Sequence, residues 1–352
     1  MQRLVQFSWG IPIDGYHWIE AQPVVNRLIE ERKERFLSPG NTRSWRHYYP
    51  LRDTPVLFRT FADLSPTEDA VRAFADQHGA LGVDSDIAIP SGKTAQHSRG
   101  ESLSIWKREI TAMMHSLLVW DALRTQSVDD LSRWFHLKDE GTFSTVSYTP
   151  DEKWPLGVDR LLPQFADNSL GDWLRFLPLG PSQDRGNPGT SGIAIPNSPV
   201  GLALAYLMMN VNFRTQQHVG ISLESLVDHS RSVPLDLHVV PKNLLGAMWM
   251  QFAQAIQGDV RYQRCPQCKT WFKVPNKANR PSTTFCSPRC RVQAFRGRQA
   301  QARDMSAKRV PLAKIARELG NDISVVRTWV RQEAKQPTQS KKPGRSARKT
   351  GR

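Results

Sequence analysis

Two short stretches near the C-terminal end decide the reading. The first is Cys265-Pro266-Gln267-Cys268, then 17 intervening residues, then Cys286-Ser287-Pro288-Arg289-Cys290. The second runs from Lys308 to Gln332 and reads KRVPLAKIARELGNDISVVRTWVRQ. The cysteine pairs use all 4 cysteines of the chain. Each short pair curls so that both sulfurs face one point, and the segment between the pairs has only to return the chain. Two tight pairs at this separation match four-cysteine zinc sites. Four thiolates leave no open coordination position, so the spacing predicts a closed, structural Zn2+ held by Cys265, Cys268, Cys286 and Cys290. A piece this small buries too little apolar surface to fold alone. A metal would supply the missing stability, roughly 10–16 kcal/mol in peptide-sized fingers. Trp271–Val274 is expected as one arm of the returning hairpin, with Thr283-Thr284-Phe285 as the other. Cys290 is expected in the first turn of a helix.

In the second stretch Leu312, Ile315, Ala316 and Leu319 form one helical stripe. Ile323, Val326, Trp329 and Val330 form another. Gly320 stands between them, where a tight turn asks for positive φ. Ala316 is small enough for the second helix to cross close to the first. The pattern Ile315-Ala316-x-x-Leu319-Gly320 with Val326-x-x-Trp329 resembles bacterial helix-turn-helix DNA-binding motifs over about 20 residues. That resemblance implies a second helix lying in the major groove of duplex DNA. Its outward residues would be Ser324, Val325, Arg327, Thr328 and Arg331. The Arg327 guanidinium fork matches the major-groove edge of guanine, whereas Arg331, Lys308 and Arg309 would meet phosphates. The finger helix adds Arg291, Arg296 and Arg298 for phosphate contact.

Charge supports this division. The net charge is +15, and Gly258–Arg352 holds 24 Lys+Arg against 5 Asp+Glu. The preceding 257 residues therefore hold the other 24 of the 48 basic and 28 of the 33 acidic residues. An almost neutral body thus carries a basic end suited to a polyanion. No apolar run approaches the roughly 18–20 residues of a spanning helix, and the start MQRLVQFSWG lacks a signal-peptide core. The expectation is a cytoplasmic protein without membrane association, in which thiols stay reduced and paired cysteines favour metal over disulfide.

The expected fold class is α+β: a mainly helical N-terminal body with a few strands, then a small zinc finger and a helix-turn-helix. The expected divisions are a mixed body over 1–257, a finger over 258–303, a helix-turn-helix over 304–334 and a disordered basic tail over 335–352. Within the body, strands are expected at Leu4–Trp9, Phe143–Tyr148 and Val233–Val240. Helical spacing is read at Glu20–Leu37, Leu103–Leu123, Val128–Phe135, Leu202–Val211 and Pro241–Gln257. Another helix should start at Ser65-Pro66-Thr67-Glu68, capped by the serine, and end at Gly79. Pro90–Gly100 and Gln183–Pro199 read as loops.

From Tyr48-Tyr49-Pro50-Leu51 through Leu57-Phe58-Arg59-Thr60-Phe61-Ala62 to Phe74-Ala75 and Gly79-Ala80-Leu81-Gly82, the chain resembles an N-terminal region of many uncharacterised bacterial proteins that also end in a zinc finger. Arg264-Cys265-Pro266-x-Cys268-x-x-Trp271-Phe272 and Phe285-Cys286-Ser287-x-x-Cys290-Arg291 fit that finger, which resembles small treble-clef-like fingers. The layout is similar to that of the CGNR zinc-finger family, whose members are regarded as transcription regulators. That family carries a Cys-Gly-Asn-Arg tetrapeptide and wider cysteine spacing, where this chain has Cys290-Arg291-Val292-Gln293. The resemblance implies a transcription regulator; with the basic end on duplex DNA, the body is expected to sense a ligand, bind a partner or form a homodimer.

The body carries no Gly-x-x-x-x-Gly-Lys-Ser/Thr loop, no Gly-x-Ser-x-Gly elbow and no His-Glu-x-x-His. Its carboxylate pairs Asp129-Asp130 and Asp84/Asp86 read as caps or turns. Two alternatives stay open at this level. One is an enzyme whose body acts on nucleic acid or a small molecule while the basic end tethers it. The other is a sequence-nonspecific RNA-binding or interaction protein.

Overall fold

The computed structural model describes residues 7–26, 28–39, 42–91, 94–139, 144–148, 198–225, 235–274 and 284–333. The expected loop at Gln183–Pro199 lies outside them, apart from its last two residues. So do the tail expected over 335–352 and the first half of the strand expected at Leu4–Trp9. The chain forms two compact units, Met1–Val260 and Arg261–Arg352.

The first unit mixes α and β. Its elements are β1 (Trp9–Pro12), β2 (His17–Val25), β3 (Leu28–Ile29), β4 (Glu34–Ser38), β5 (Trp45–Tyr48), α1 (Pro50–Asp53), α2 (Leu57–Ala62) and α3 (Glu68–His78). There follow β6 (Ser85–Ser91), β7 (Thr94–Ser102), α4 (Leu103–Thr125), α5 (Val128–Trp134), β8 (Phe135–Asp139) and β9 (Ser144–Tyr148). After the next described residues come α6 (Pro199–His218), β10 (Val219–Ser225), β11 (Leu235–Pro241) and α7 (Leu244–Gln257). Eleven strands stand beside seven helices among the described residues, more strand than a helical body with a few strands would hold.

The largest correction falls at Glu20–Leu37, where the helical spacing is instead β2, β3 and β4. Strand β2 pairs with β4 through Glu20↔Arg35 and Ile19↔Phe36, and Lys33 Nζ lies 3.3 Å from Glu20 Oε1. Opposite charges that look like helix-face neighbours are therefore cross-strand neighbours. Alternation turns Ala21 and Phe36 inward beside Ile87, with Ile19 and Ile89 packed on them. A second correction is at Pro90–Gly100, where β6 and β7 form an antiparallel hairpin running from Ser85↔Gly100 to Ser91↔Thr94. Strand β2 pairs with β4 along its first half and with β6 at Gln22↔Ala88 and Pro23↔Ile87. Strand β4 pairs with β7 at Phe36↔Ser102 and Leu37↔Glu101. The ring β2–β4–β7–β6 thus closes on itself, which removes its open edges.

Against this ring stands a helical core. Trp106, Phe58, Phe61, Trp249, Phe252 and Met113 are fully buried. Three of its helices have a side-chain cap at their start. Ser102 Oγ accepts from Ile105 N–H at α4 and Ser198 Oγ from Gly201 N–H at α6, and Asn243 Oδ1 accepts from Gly246 N–H at α7. Helix α3 is capped by Thr67, whose Oγ1 accepts from Ala70 N–H, rather than by Ser65. A glycine with φ of +95° ends it at Gly79, because glycine, lacking a Cβ, takes positive φ without a clash. Two ion pairs tie the helices together. Arg59 meets Asp121 through two bonds of 2.7 and 2.8 Å. Arg214 Nε donates to Glu109 Oε2 at 2.8 Å, with both side chains buried.

The second unit contains β12 (Arg261–Arg264), β13 (Trp271–Val274), α8 (Pro288–Ala307), α9 (Leu312–Glu318) and α10 (Ile323–Glu333). The arm facing Trp271–Val274 is β12, in register Arg264↔Trp271 to Arg261↔Val274, and not 283–285. Residue 283 lies outside the described residues, and 284–287 form no strand. The tight turn after Cys265 brings the chain straight back, so pairing is local.

Candidate metal centre and nucleic-acid interface

The turn that carries the first cysteine pair is set by backbone bonds. Lys269 N–H donates to Cys265 O at 2.8 Å and Cys265 N–H donates to Thr270 O at 2.9 Å. Lys269 takes φ of +61° to complete the reversal. The second pair is set by a helix start: Ser287 Oγ accepts from Cys290 N–H at 3.2 Å, and Pro288 suits the first helical position. Cys290 therefore sits in the first turn of α8, as the spacing predicts.

The four sulfurs converge, and all lie within 4.8 Å of one another. Cys268 Sγ and Cys290 Sγ are each 3.5 Å from Cys286 Sγ. Tetrahedral thiolates at 2.3 Å from one ion are about 3.8 Å apart, so the cluster has the dimensions of a single-ion site. Cys265 and Cys290 are buried, and Cys268 and Cys286 are exposed. The thiols do not ionise alike. At Cys265 desolvation is outweighed by the N–H groups of Cys268, Cys286 and Gln267, and its thiol is lowered to about 6. Desolvation and the neighbouring Cys290 and Cys268 push Cys286 up to about 12. Four thiolates facing one point repel each other unless a cation joins them.

Helix α8 continues past the cysteines into a three-helix cluster. Ala302 of α8, Ile315 and Ala316 of α9, and Val326 and Trp329 of α10 make one buried core, flanked by Met305, Val310, Leu312, Leu319 and Val330. Phe295 of α8 meets Trp329 edge-on, with ring centroids 5.5 Å apart. Arg303 Nε donates to Trp329 O at 3.2 Å. Between α9 and α10 Gly320 takes φ of +59°, as the turn requires. The same helix that presents Cys290 thus supports α10.

With Val326 and Trp329 turned inward, α10 exposes Ser324, Val325, Arg327, Thr328 and Arg331 on one face. Two of these are partly engaged. Ser324 Oγ and N–H both donate to Asp322 Oδ1, and Thr328 Oγ1 donates to Ser324 O at 3.0 Å. Among the described residues, no such bond ties down the side chains of Val325, Arg327 or Arg331. Elsewhere Arg291, Arg296 and Arg309 are exposed, and Arg298 is half-buried. Lys308 is exposed and pairs with Asp304 at 2.8 Å, a solvent-exposed contact that is weak. Lys314 and Arg317 of α9 are also exposed. Sequence reading passed them over because their place depends on how α9 turns against α10.

No family model, curated protein or solved structure matches this chain. Among the described residues, no helix is long and apolar enough to cross a membrane.

Proposed function

We propose that this chain is a cytoplasmic zinc-containing DNA-binding protein and acts as a transcription regulator through a C-terminal zinc finger and helix-turn-helix. The observation that carries the reading is the face of α10: Val325, Arg327 and Arg331 stand outward from a helix fixed from behind by Val326 and Trp329. A rigid helix with a free guanidinium fork and an aliphatic neighbour can read guanine and a thymine methyl in the major groove. Arg291, Arg296, Arg298 and Arg309 would add phosphate contacts that fix register without reading sequence.

Zn2+ is the metal that four thiolates in a closed set favour, since soft sulfur ligands and tetrahedral geometry select it over hard cations. Cys265, Cys268, Cys286 and Cys290 would hold it. The ion would carry no chemistry of its own and would join the β12–β13 turn to the first turn of α8. The test is duplex binding by the full chain. Arg327→Ala should lower affinity for its best sequence by about tenfold, within the roughly 1–3 kcal/mol of a bidentate base contact. Unchanged affinity in both Arg327→Ala and Arg331→Ala would overturn the assignment of α10.

A further inference from the structure

The four cysteines of the candidate metal centre are not equivalent. Cys265 and Cys290 are buried, at 0% and 7% exposure, whereas Cys268 and Cys286 lie at the surface. The buried two are also the two built into the backbone. Cys265 N–H donates to Thr270 O and its carbonyl accepts from Lys269 N–H, and Cys290 N–H donates to Ser287 Oγ in the first turn of α8. Cys268 occupies the turn between β12 and β13, and Cys286 stands just ahead of α8. Burial of all four sulfurs would protect them equally; here it protects two.

The exposed sulfurs come from opposite sides of the centre and are 3.5 Å apart. Their surroundings are basic. Lys269 follows Cys268 and Arg289 lies between Cys286 and Cys290, both exposed, and no Asp or Glu occurs between Asp259 and Asp304. Cations beside an accessible sulfur favour its thiolate and the reactions of that thiolate with electrophiles. A cysteine that responds to oxidants combines this setting with a second thiol in reach.

We infer that Cys268 and Cys286 are a peroxide-responsive pair, which hydrogen peroxide oxidises to a disulfide with release of the metal. This rests on the assignment of Zn2+ to the four cysteines. First, Cys268 Sγ attacks one peroxide oxygen. The O–O bond breaks, the sulfur becomes a sulfenic acid, and the other oxygen leaves as hydroxide and is protonated to water. Then Cys286 Sγ attacks the Cys268 sulfur, the S–O bond breaks, and a second hydroxide leaves and is protonated. The two electrons lost by the sulfur pair reduce the peroxide. The sulfurs have to approach by about 1.5 Å to reach the length of an S–S bond. Cys290 Sγ is equally close to Cys286, but Cys290 is buried and held by the helix start, so peroxide from solvent meets Cys268 and Cys286 first. Cys265 and Cys290 then remain, and two thiolates do not complete the tetrahedron of a structural Zn2+. The ion leaves while the new bond keeps the β12–β13 turn attached to α8. The core of Ala302, Ile315, Ala316, Val326 and Trp329 is made further along the chain. Metal release therefore acts on the first turns of α8, where Arg291 and Arg296 stand, rather than on the fold of α10.

The experiment uses the full chain. Bound zinc is counted by elemental analysis before any oxidant is added. Hydrogen peroxide is then applied, zinc release is followed with a colorimetric chelator, and disulfides are mapped by peptide mass spectrometry. Zinc should be released in step with a peptide pair linked through Cys268 and Cys286, and dithiothreitol with added zinc should reverse both. Cys286→His keeps a nitrogen ligand for the ion, as in three-cysteine, one-histidine sites. It should release zinc about tenfold more slowly, because the thiol that traps the sulfenic acid is gone. Cys268→His should behave alike, and if neither variant loads zinc the wild-type linkage decides alone. Zinc retained under peroxide, a dominant Cys286–Cys290 linkage, or release from the loaded variants at the wild-type rate would overturn the inference. A chain without zinc before peroxide would instead remove the metal assignment itself, whereas zinc bound and retained would leave that assignment standing.

Discussion

Replacing Trp329 with alanine tests whether α8, α9 and α10 share one core. Trp329 is 4% exposed and packs with Ala302, Ile315, Ala316 and Val326. Its ring is set edge-on to Phe295 at 5.5 Å. Removing a buried tryptophan costs roughly 3–5 kcal/mol, and the lost aromatic pair adds about 1 kcal/mol. A unit of this size rests on the order of 5–10 kcal/mol in total. The substitution should therefore remove most of its margin. Circular dichroism during thermal denaturation of the full chain should show helical signal lost early, and duplex binding near 37 °C should fall with it. Trp329→Phe keeps a ring facing Phe295 and should lose less than half as much. If Trp329→Ala melts within about 0.5 kcal/mol of the wild type, the three helices do not depend on a common core and the argument fails.

Other outcomes follow from the same structure. Burial lowers His115 from 6.5 to about 4. Below pH 6.5 the unfolded chain takes up a proton that the folded chain refuses, so this stability is full above 6.5 and is lost as pH falls towards 4. Between pH 7 and 5 the wild type should lose about 2 kcal/mol more than His115→Gln in urea denaturation; parallel losses would refute the burial argument. Glu101 acts in the opposite sense. Burial raises it to about 7 against its backbone donors, so its contribution is lost as pH rises from 4.5 towards 7. If Arg291, Arg296, Arg298, Arg309 and Arg331 each meet a phosphate, affinity for random duplex should fall about 500-fold between 50 and 200 mM salt; a flat salt dependence would remove them from the interface. A Cβ on Gly246 would lie 2.0 Å from His218 O. Gly246→Ala should therefore displace α7 and cost roughly 3 kcal/mol, the upper end for overpacked cores, measured by thermal melting. Cys286→Ser should lower bound zinc to well below one ion per chain by elemental analysis; a full equivalent would show that the cysteines are not the ligands.

The parts of the fold that sequence revealed are those with a local cause. The cysteine pairs announce themselves by spacing, and α4, α5, α6 and α7 by apolar stripes that recur every three or four residues. The turn at Gly320 follows from its backbone freedom. The closed ring was hidden because its strands are polar or charged. Strand β7, Thr94–Ser102, reads TAQHSRGES and owes its shape to the β6 ladder rather than to its own propensity. In β2 and β4 the charges that suggested a helix belong to opposite strands. The cavity in the first unit lined by Trp9, Tyr16, Trp45, Asp84, Arg99 and Glu101 was illegible for a different reason. Trp9, Tyr16, Trp45, Asp84 and Glu101 lie far apart in the chain, and no spacing rule joins them. Asp84 was readable only as a turn residue, and it takes its place in the cavity wall through Arg99 of the neighbouring strand.

The central claim is that α10 reads DNA sequence. The most direct measurement is selection from a random duplex library by the full chain near physiological salt, with sequencing of the bound fraction, repeated with Arg327→Ala. The account predicts a short enriched motif containing a guanine whose preference relaxes in the variant while the rest of the motif remains. Weak and unselective binding, or an identical motif in the variant, would contradict it.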